Sequence, residues 1–124
     1  MSIRNQLRTV KGVLAGVTGA FLAKETRATI ASFALPENQN EKAFPTVEGR
    51  WLTVAQIKEH FGPDYATNPT VIEQVLAAYI GRLVNKAIEE VGLDVRACTP
   101  DQLQAVFGAL VTAEQQALVR MTTN

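Results

Sequence analysis

Enzymes need reactive groups that converge, and this 124-residue chain holds few of them. His60 is the single histidine, Cys98 the single cysteine, and Ser2 and Ser32 are the only serines. Together Cys98 and His60 would make a thiol nucleophile and its base. Their neighbours give each a structural role instead. Cys98 stands before Thr99, where a small apolar side chain packs forward on Leu103, and His60 falls in the last turn of a short helix, where the dipole favours an imidazolium. Glu89, Glu90 and Asp94 lack the alternating oxygen ligands of a calcium loop, and no Cys or His ligands have zinc spacing. Gly12, Gly16 and Gly19 have the wrong intervals for a dinucleotide fingerprint, and Gly19 to Thr26 (GAFLAKET) lacks the second glycine of a phosphate loop. No catalytic residue, cofactor or metal is expected, so the chain is read as a non-enzyme.

The elements that would position any site must come from a chain with 47% hydrophobic and 19% charged residues. A mean hydropathy of +0.04 is too high for a disordered tail and too low for a membrane bundle, which leaves a single domain over residues 1–124. Arg4, Arg8 and Lys11 precede the apolar run Gly12 to Ala23, an order that imitates a secretory leader. That run is 12 residues long, well short of the roughly 20 needed to span a bilayer. It is read as part of the fold, with no membrane partner. One cysteine allows no internal disulfide, which points to a reducing compartment and a cytoplasmic location. Twelve basic residues balance twelve acidic ones, so no net field draws the chain to nucleic acid. The charge is nevertheless uneven. Residues 1–33 carry five basic groups and one acidic, +4, and residues 59–124 carry four basic and eight acidic, −4.

Helix punctuation is legible along the chain. Thr53 with Gln56, Thr99 with Gln102 and Thr112 with Gln115 each fit a capping box, and Asn68 followed by Pro69 marks another start. Gly62 and Gly92 fall where helices stop. These signals predict an all-α fold of about five helices: a long basic N-terminal helix over 1–33 beginning near Ser2, a loop over 36–50, and a helical core over 51–124. The core has a central helix from Pro69 to about Val91 and two short helices, Pro100 to about Leu110 and Ala113 to about Met121. The two short helices are expected to pack Leu103, Val106, Phe107, Leu110, Leu118, Val119 and Met121 inward. The first helix could instead break near Thr18 and Gly19, and a strand reading arises only over Phe44 to Leu52.

Within this frame, Ile3, Leu7, Val10, Leu14, Val17 and Phe21 recur at coiled-coil spacing and form a seam that wants a partner. Gly12, Ala15, Gly16, Gly19 and Ala20 would make a smooth groove for another backbone, because interior glycines each cost about 1 kcal/mol unless close packing offsets them. Within the loop only Ala43, Phe44 and Val47 are able to anchor it, and Phe44 and Trp51 are expected to be its anchors. The interface is accordingly expected at Leu7, Val10, Leu14, Gly16, Val17, Phe21, Phe44 and Trp51. Arg4, Arg8 and Lys11, at i, i+4 and i+7, form a basic stripe able to touch nucleic acid without reading sequence.

Residues 51–83 have the outline of a helix-turn-helix: a capped short helix, a glycine turn and a longer helix. The turn is too long for the DNA-reading motif, and the second helix opens on Glu73 and Gln74, with Arg82 its first basic residue. The segment LTVAQIKEHFGPD, followed by an apolar helix with Ile80, Leu83 and Ala87 and then a pair of short helices, resembles the helical head-to-tail adaptor (connector) proteins of tailed bacteriophages over residues 52–121. The resemblance implies a ring-forming virion subunit whose loop and terminal helix engage neighbours and other assembly proteins. Two functions follow as expectations: a homo-oligomeric assembly subunit, located in the virion if phage-derived, or a small DNA-binding regulator.

Overall fold

The wide apolar circumference of residues 69–91 can be buried only if several elements wrap it, and that requirement organises the chain. The computed structural model describes residues 3–123, apart from the side chains of 105–107, 109, 110, 122 and 123. It is mostly helical, as the periodicity predicts, with five α-helices: α1 (Ile3–Leu14), α2 (Gly19–Ser32), α3 (Val54–Phe61), α4 (Pro69–Val91) and α5 (Pro100–Thr123). A two-stranded antiparallel hairpin, β1 (Lys42–Pro45) and β2 (Trp51–Thr53), precedes α3.

The N-terminal segment is two helices, with the break near Thr18 and Gly19 that the sequence offered as the alternative to one continuous helix. The Thr18 hydroxyl accepts from the Phe21 N–H at 3.1 Å, and Thr18 itself is extended, with φ −98° and ψ 163°, so a cap starts α2 where a continuous helix would have run on. The break takes Gly16 out of any helix, and the proposed start near Ser2 lies outside the described residues.

The loop after α2 serves as a double cap. Gln39 donates its side-chain amide to the carbonyls of Phe33 and Leu35, and Asn38 donates to Ser32, which satisfies the open C-terminus of α2. In return the Glu41 and Gln39 carbonyls accept from the N–H groups of Val54 and Ala55 at the start of α3. The hairpin pairs Phe44 with Leu52 and Pro45 with Trp51. Its turn closes with the Thr46 N–H donating to Arg50 at 2.8 Å and the Gly49 N–H donating to Thr46 at 2.9 Å. Gly49 has φ +88°, the left-handed position that a three-residue hairpin loop assigns to glycine.

Two of the three predicted capping boxes form: Thr53 with Gln56 and Thr99 with Gln102 exchange both hydrogen bonds. Asn68 Oδ1 accepts from Thr70 and Val71 as α4 begins at Pro69, and Gly92, at φ +67°, ends it. The third box is corrected. Thr112 and Gln115 lie inside α5, which runs for 24 residues, because no proline or left-handed residue stops the helix before them and both side chains point to solvent.

Three clusters share α4. Its N-terminal part, through Val71 and Val75, meets Ile30, Phe33, Phe44, Val54 and Ile57. Leu76 sits with Leu22, Ala23, Ala113 and Ala117. Val84, Ala87 and Ile88 meet Leu7, Val10, Leu14 and Leu93. Helices α2 and α5 approach closely through small residues, Gly19 and Ala23 against Ala113 and Ala117. A Cβ added to Gly19 would stand 2.7 Å from Gln116 Cβ and 3.2 Å from the Ala113 carbonyl, whereas one on Gly12 or Gly16 would meet nothing. The small-residue groove is therefore real at Gly19, is internal, and does not include Gly16. Gly19→Ala should destabilise by about 1–3 kcal/mol through overpacking. Gly16→Ala should leave the thermal midpoint unchanged or raise it slightly; calorimetry of the two variants checks the contrast.

Candidate interaction surface

The seam positions that sequence reasoning assigns to an interface lie mostly within the chain's own core. Leu7, Val10 and Leu14 are buried against α4, and Val17 is half-buried between two of the core clusters. They are corrected to core residues, because α4 supplies within the same chain the partner that the 4-3 spacing called for. Gln6 secures the docking by donating its side-chain amide to the Val91 carbonyl at 3.4 Å. Gly16 is exposed with open space around it. Phe44 is buried in the cluster under the hairpin, so it too is a core anchor.

Phe21 and Trp51 remain on the surface, 40% and 43% exposed. The Phe21 ring lies 6.4 Å from that of Tyr79, tilted by 48°. Burial, reinforced by the nearby Glu25 carboxylate, raises the Tyr79 phenol above its ordinary 10.0.

Cys98 and His60 stand in different surroundings. Cys98 is half-buried against the α1–α4 cluster, its Sγ 3.6 Å from the Asp94 carbonyl. His60 is exposed at the end of α3, edge-on to Phe61 at 4.8 Å, beside the hairpin residues Arg50 and Leu52. Among the described residues no three His, Cys, Asp or Glu groups gather where a metal ion would sit, and no helix is long and apolar enough to cross a membrane. Arg4, Arg8 and Lys11 are all exposed along α1. The segment with a helix-turn-helix outline joins α3 to α4 through residues 62–68, which include a short 3-10 turn at Tyr65–Thr67. Its second helix carries buried Val71, Val75 and Leu76 in its first half, so that part is committed to the core.

Sequence reasoning missed the outward face of α5. Treating residues 100–121 as two helices resets the helical phase at Thr112 and sends Val119 inward; in one continuous helix Ala113 and Ala117 are buried and Val119 is 59% exposed. Leu103, Leu118 and Met121 are half-buried, while Val106, Phe107 and Leu110 lie outside the described side chains. Gln104, Gly108, Val111, Gln115 and Val119, spaced by four, three, four and four residues, are all exposed, so they form one stripe along the helix. None is charged. Between Asp101 and Arg120 the helix has one ionic group, Glu114, which is half-buried off the stripe. A solvent-facing helix surface ordinarily carries Lys and Glu, and loss of charge is the compositional mark of an interface centre.

Two further features lie near or apart from this face. A cleft of about 760 Å³ runs between α2, the start of α4 and the end of α5, walled by Ile30, Ala31, Ile72, Leu118 and Met121 with Arg27 and Glu73 among its lining. Arg27 Nη2 donates to the Arg120 carbonyl at 3.1 Å. At the hairpin turn Val47 is fully exposed, which corrects the expectation that it anchors the loop: the turn's own hydrogen bonds hold it while the side chain points out. No protein-family model matches the chain, and neither a curated protein nor a solved structure matches it significantly.

Leu14→Ala should cost about 2–5 kcal/mol of stability as a core truncation, and Phe21→Ala clearly less, by urea denaturation. Because the folded state raises the Tyr79 pKa, the associated stability is complete below pH 10.0 and is lost as pH rises through the folded value. Tyr79→Phe should flatten that alkaline decline in the thermal midpoint.

Proposed function

We propose that the protein is a non-enzymatic assembly subunit that works as a homo-oligomer, with copies meeting on the outward face of α5. A virion head-to-tail adaptor is the specific role we assign within that class. The single observation that carries the reading is the charge-free exposed stripe Gln104, Gly108, Val111, Gln115 and Val119. Glycine and valine there permit close approach, and glutamine supplies hydrogen bonds at little desolvation cost compared with an ion. Phe21 and Trp51, exposed aromatics among the described residues, are side chains of the type that dominates interface energetics.

The seam on α1 no longer supports this reading, since α4 covers it. Nor does the uneven charge, five basic residues against one acidic over 1–33 and eight acidic against four basic over 59–124, since α1 and α2 pack directly on α4 and α5. The second reading, a DNA-binding regulator, rests on the exposed Arg4, Arg8 and Lys11. Phosphate contact from such a stripe would be blind to sequence and would weaken linearly in log salt.

Light scattering at micromolar concentration should give a particle heavier than the 13.5 kDa chain. Val119→Asp, which puts a charge on an already exposed position, should return it to single-chain mass with its helical circular dichroism unchanged. A wild-type particle of single-chain mass, retained on duplex DNA at low salt, would instead select the regulator.

A further inference from the structure

The stripe on α5 borders a cleft. Leu118 lies next to Val119 along the helix and also walls the cleft formed with Arg27, Ile30, Ala31 and Ile72, so the cleft opens beside the uncharged face. Its lining is apolar apart from a few groups, among them one cation, Arg27, and one anion, Glu73. Arg27 commits one N–H donor to the Arg120 carbonyl, which holds the guanidinium at the cleft while leaving others of its five donors for a second acceptor.

No residue of the hairpin lines that cleft, yet the hairpin turn has the complementary chemistry. Val47 is fully exposed at the tip, and Glu48 and Arg50 beside it are exposed, an anion and a cation flanking one apolar side chain. The turn is closed by two backbone hydrogen bonds and by Thr46 Oγ1 accepting from the Arg50 N–H at 3.2 Å, so its shape is set before any partner arrives. A preformed tip avoids the ordering cost of a flexible arm. Trp51, at the base of the same turn, is 43% exposed.

We propose that the hairpin tip of one copy seats in the α2–α4–α5 cleft of the next, with Val47 on the apolar floor, Glu48 paired to the neighbour's Arg27 and Arg50 to the neighbour's Glu73. The proposal rests on the assembly reading above and deepens it: the cleft bordering the α5 face takes the neighbour's hairpin. The contact is heterologous, tip to cleft, so each copy has one of each to offer and association continues into a ring if the rotation closes or a filament if it does not.

Four further variants and one mixture test it, with mass measured by light scattering. Val47→Asp removes the tip and Ala31→Asp charges the wall of the cleft; both positions are exposed, and cooperative thermal unfolding of each verifies folding. Each variant alone should run at single-chain mass. An equimolar mixture should form a particle of twice that mass, because one intact tip then meets one intact cleft and no further contact remains. Glu48→Arg should weaken wild-type association about tenfold or more, and adding Arg27→Glu in the same chain should restore most of the loss. A Val47→Asp chain that keeps the wild-type mass while Val119→Asp loses it would overturn the tip-to-cleft contact and leave the assembly reading standing. A mixture that stays at single-chain mass overturns it as well. Wild-type protein that is itself a single chain would overturn both.

Discussion

One helix has to be covered on several sides by a short chain, and the architecture follows from that constraint. Helix α4 carries six buried residues distributed over 23 positions, and they fall into three groups that each draw on a different part of the molecule. Each fully buried aliphatic side chain contributes about 1.5–3 kcal/mol, and the buried residues of α4 join all three core clusters. The N-terminal part takes the hairpin, α3 and the end of α2; the middle takes α2 and α5; the C-terminal part takes α1.

That arrangement explains why α1 and α2 are separate. A single helix through residue 33 could not place Leu7 and Leu14 on one end of α4 and Ile30 and Phe33 on the other while also bringing Gly19 against α5. The Thr18 cap allows the direction to change between the two contacts. It also explains the unusual loop after α2. Gln39 and Asn38 close α2 while Glu41 and Gln39 open α3, so Phe44 is delivered to the core on a fixed path, and the turn beyond it is left projecting with Val47 outward.

The same economy leaves surface over. Among its described residues, helix α5 buries Ala113 and Ala117 with Leu118 and Met121 packed beside them, and its opposite side is left without the charges that hold an exposed helix in water. A chain that buried its surplus internally would have placed valines 111 and 119 elsewhere. The exposed turn and the open cleft are further apolar surface that the core does not reach.

Much of the local structure was determined by the sequence alone. The caps at Thr53, Asn68 and Thr99 and the stop at Gly92 are decided by side-chain and backbone hydrogen bonds within four residues, so spacing suffices to read them. The breadth of the apolar face of α4, and hence its central place, was legible for the same reason. What only the tertiary structure decided is which apolar stripe finds a partner inside the chain. Period and hydrophobicity are alike for the α1 seam, which α4 covers, and for a true interface. Whether Thr112 caps a new helix or rides within an old one depends on whether Ala113 and Ala117 can meet Gly19 and Ala23 at close range. That contact spans some ninety residues of sequence, and no local pattern encodes it.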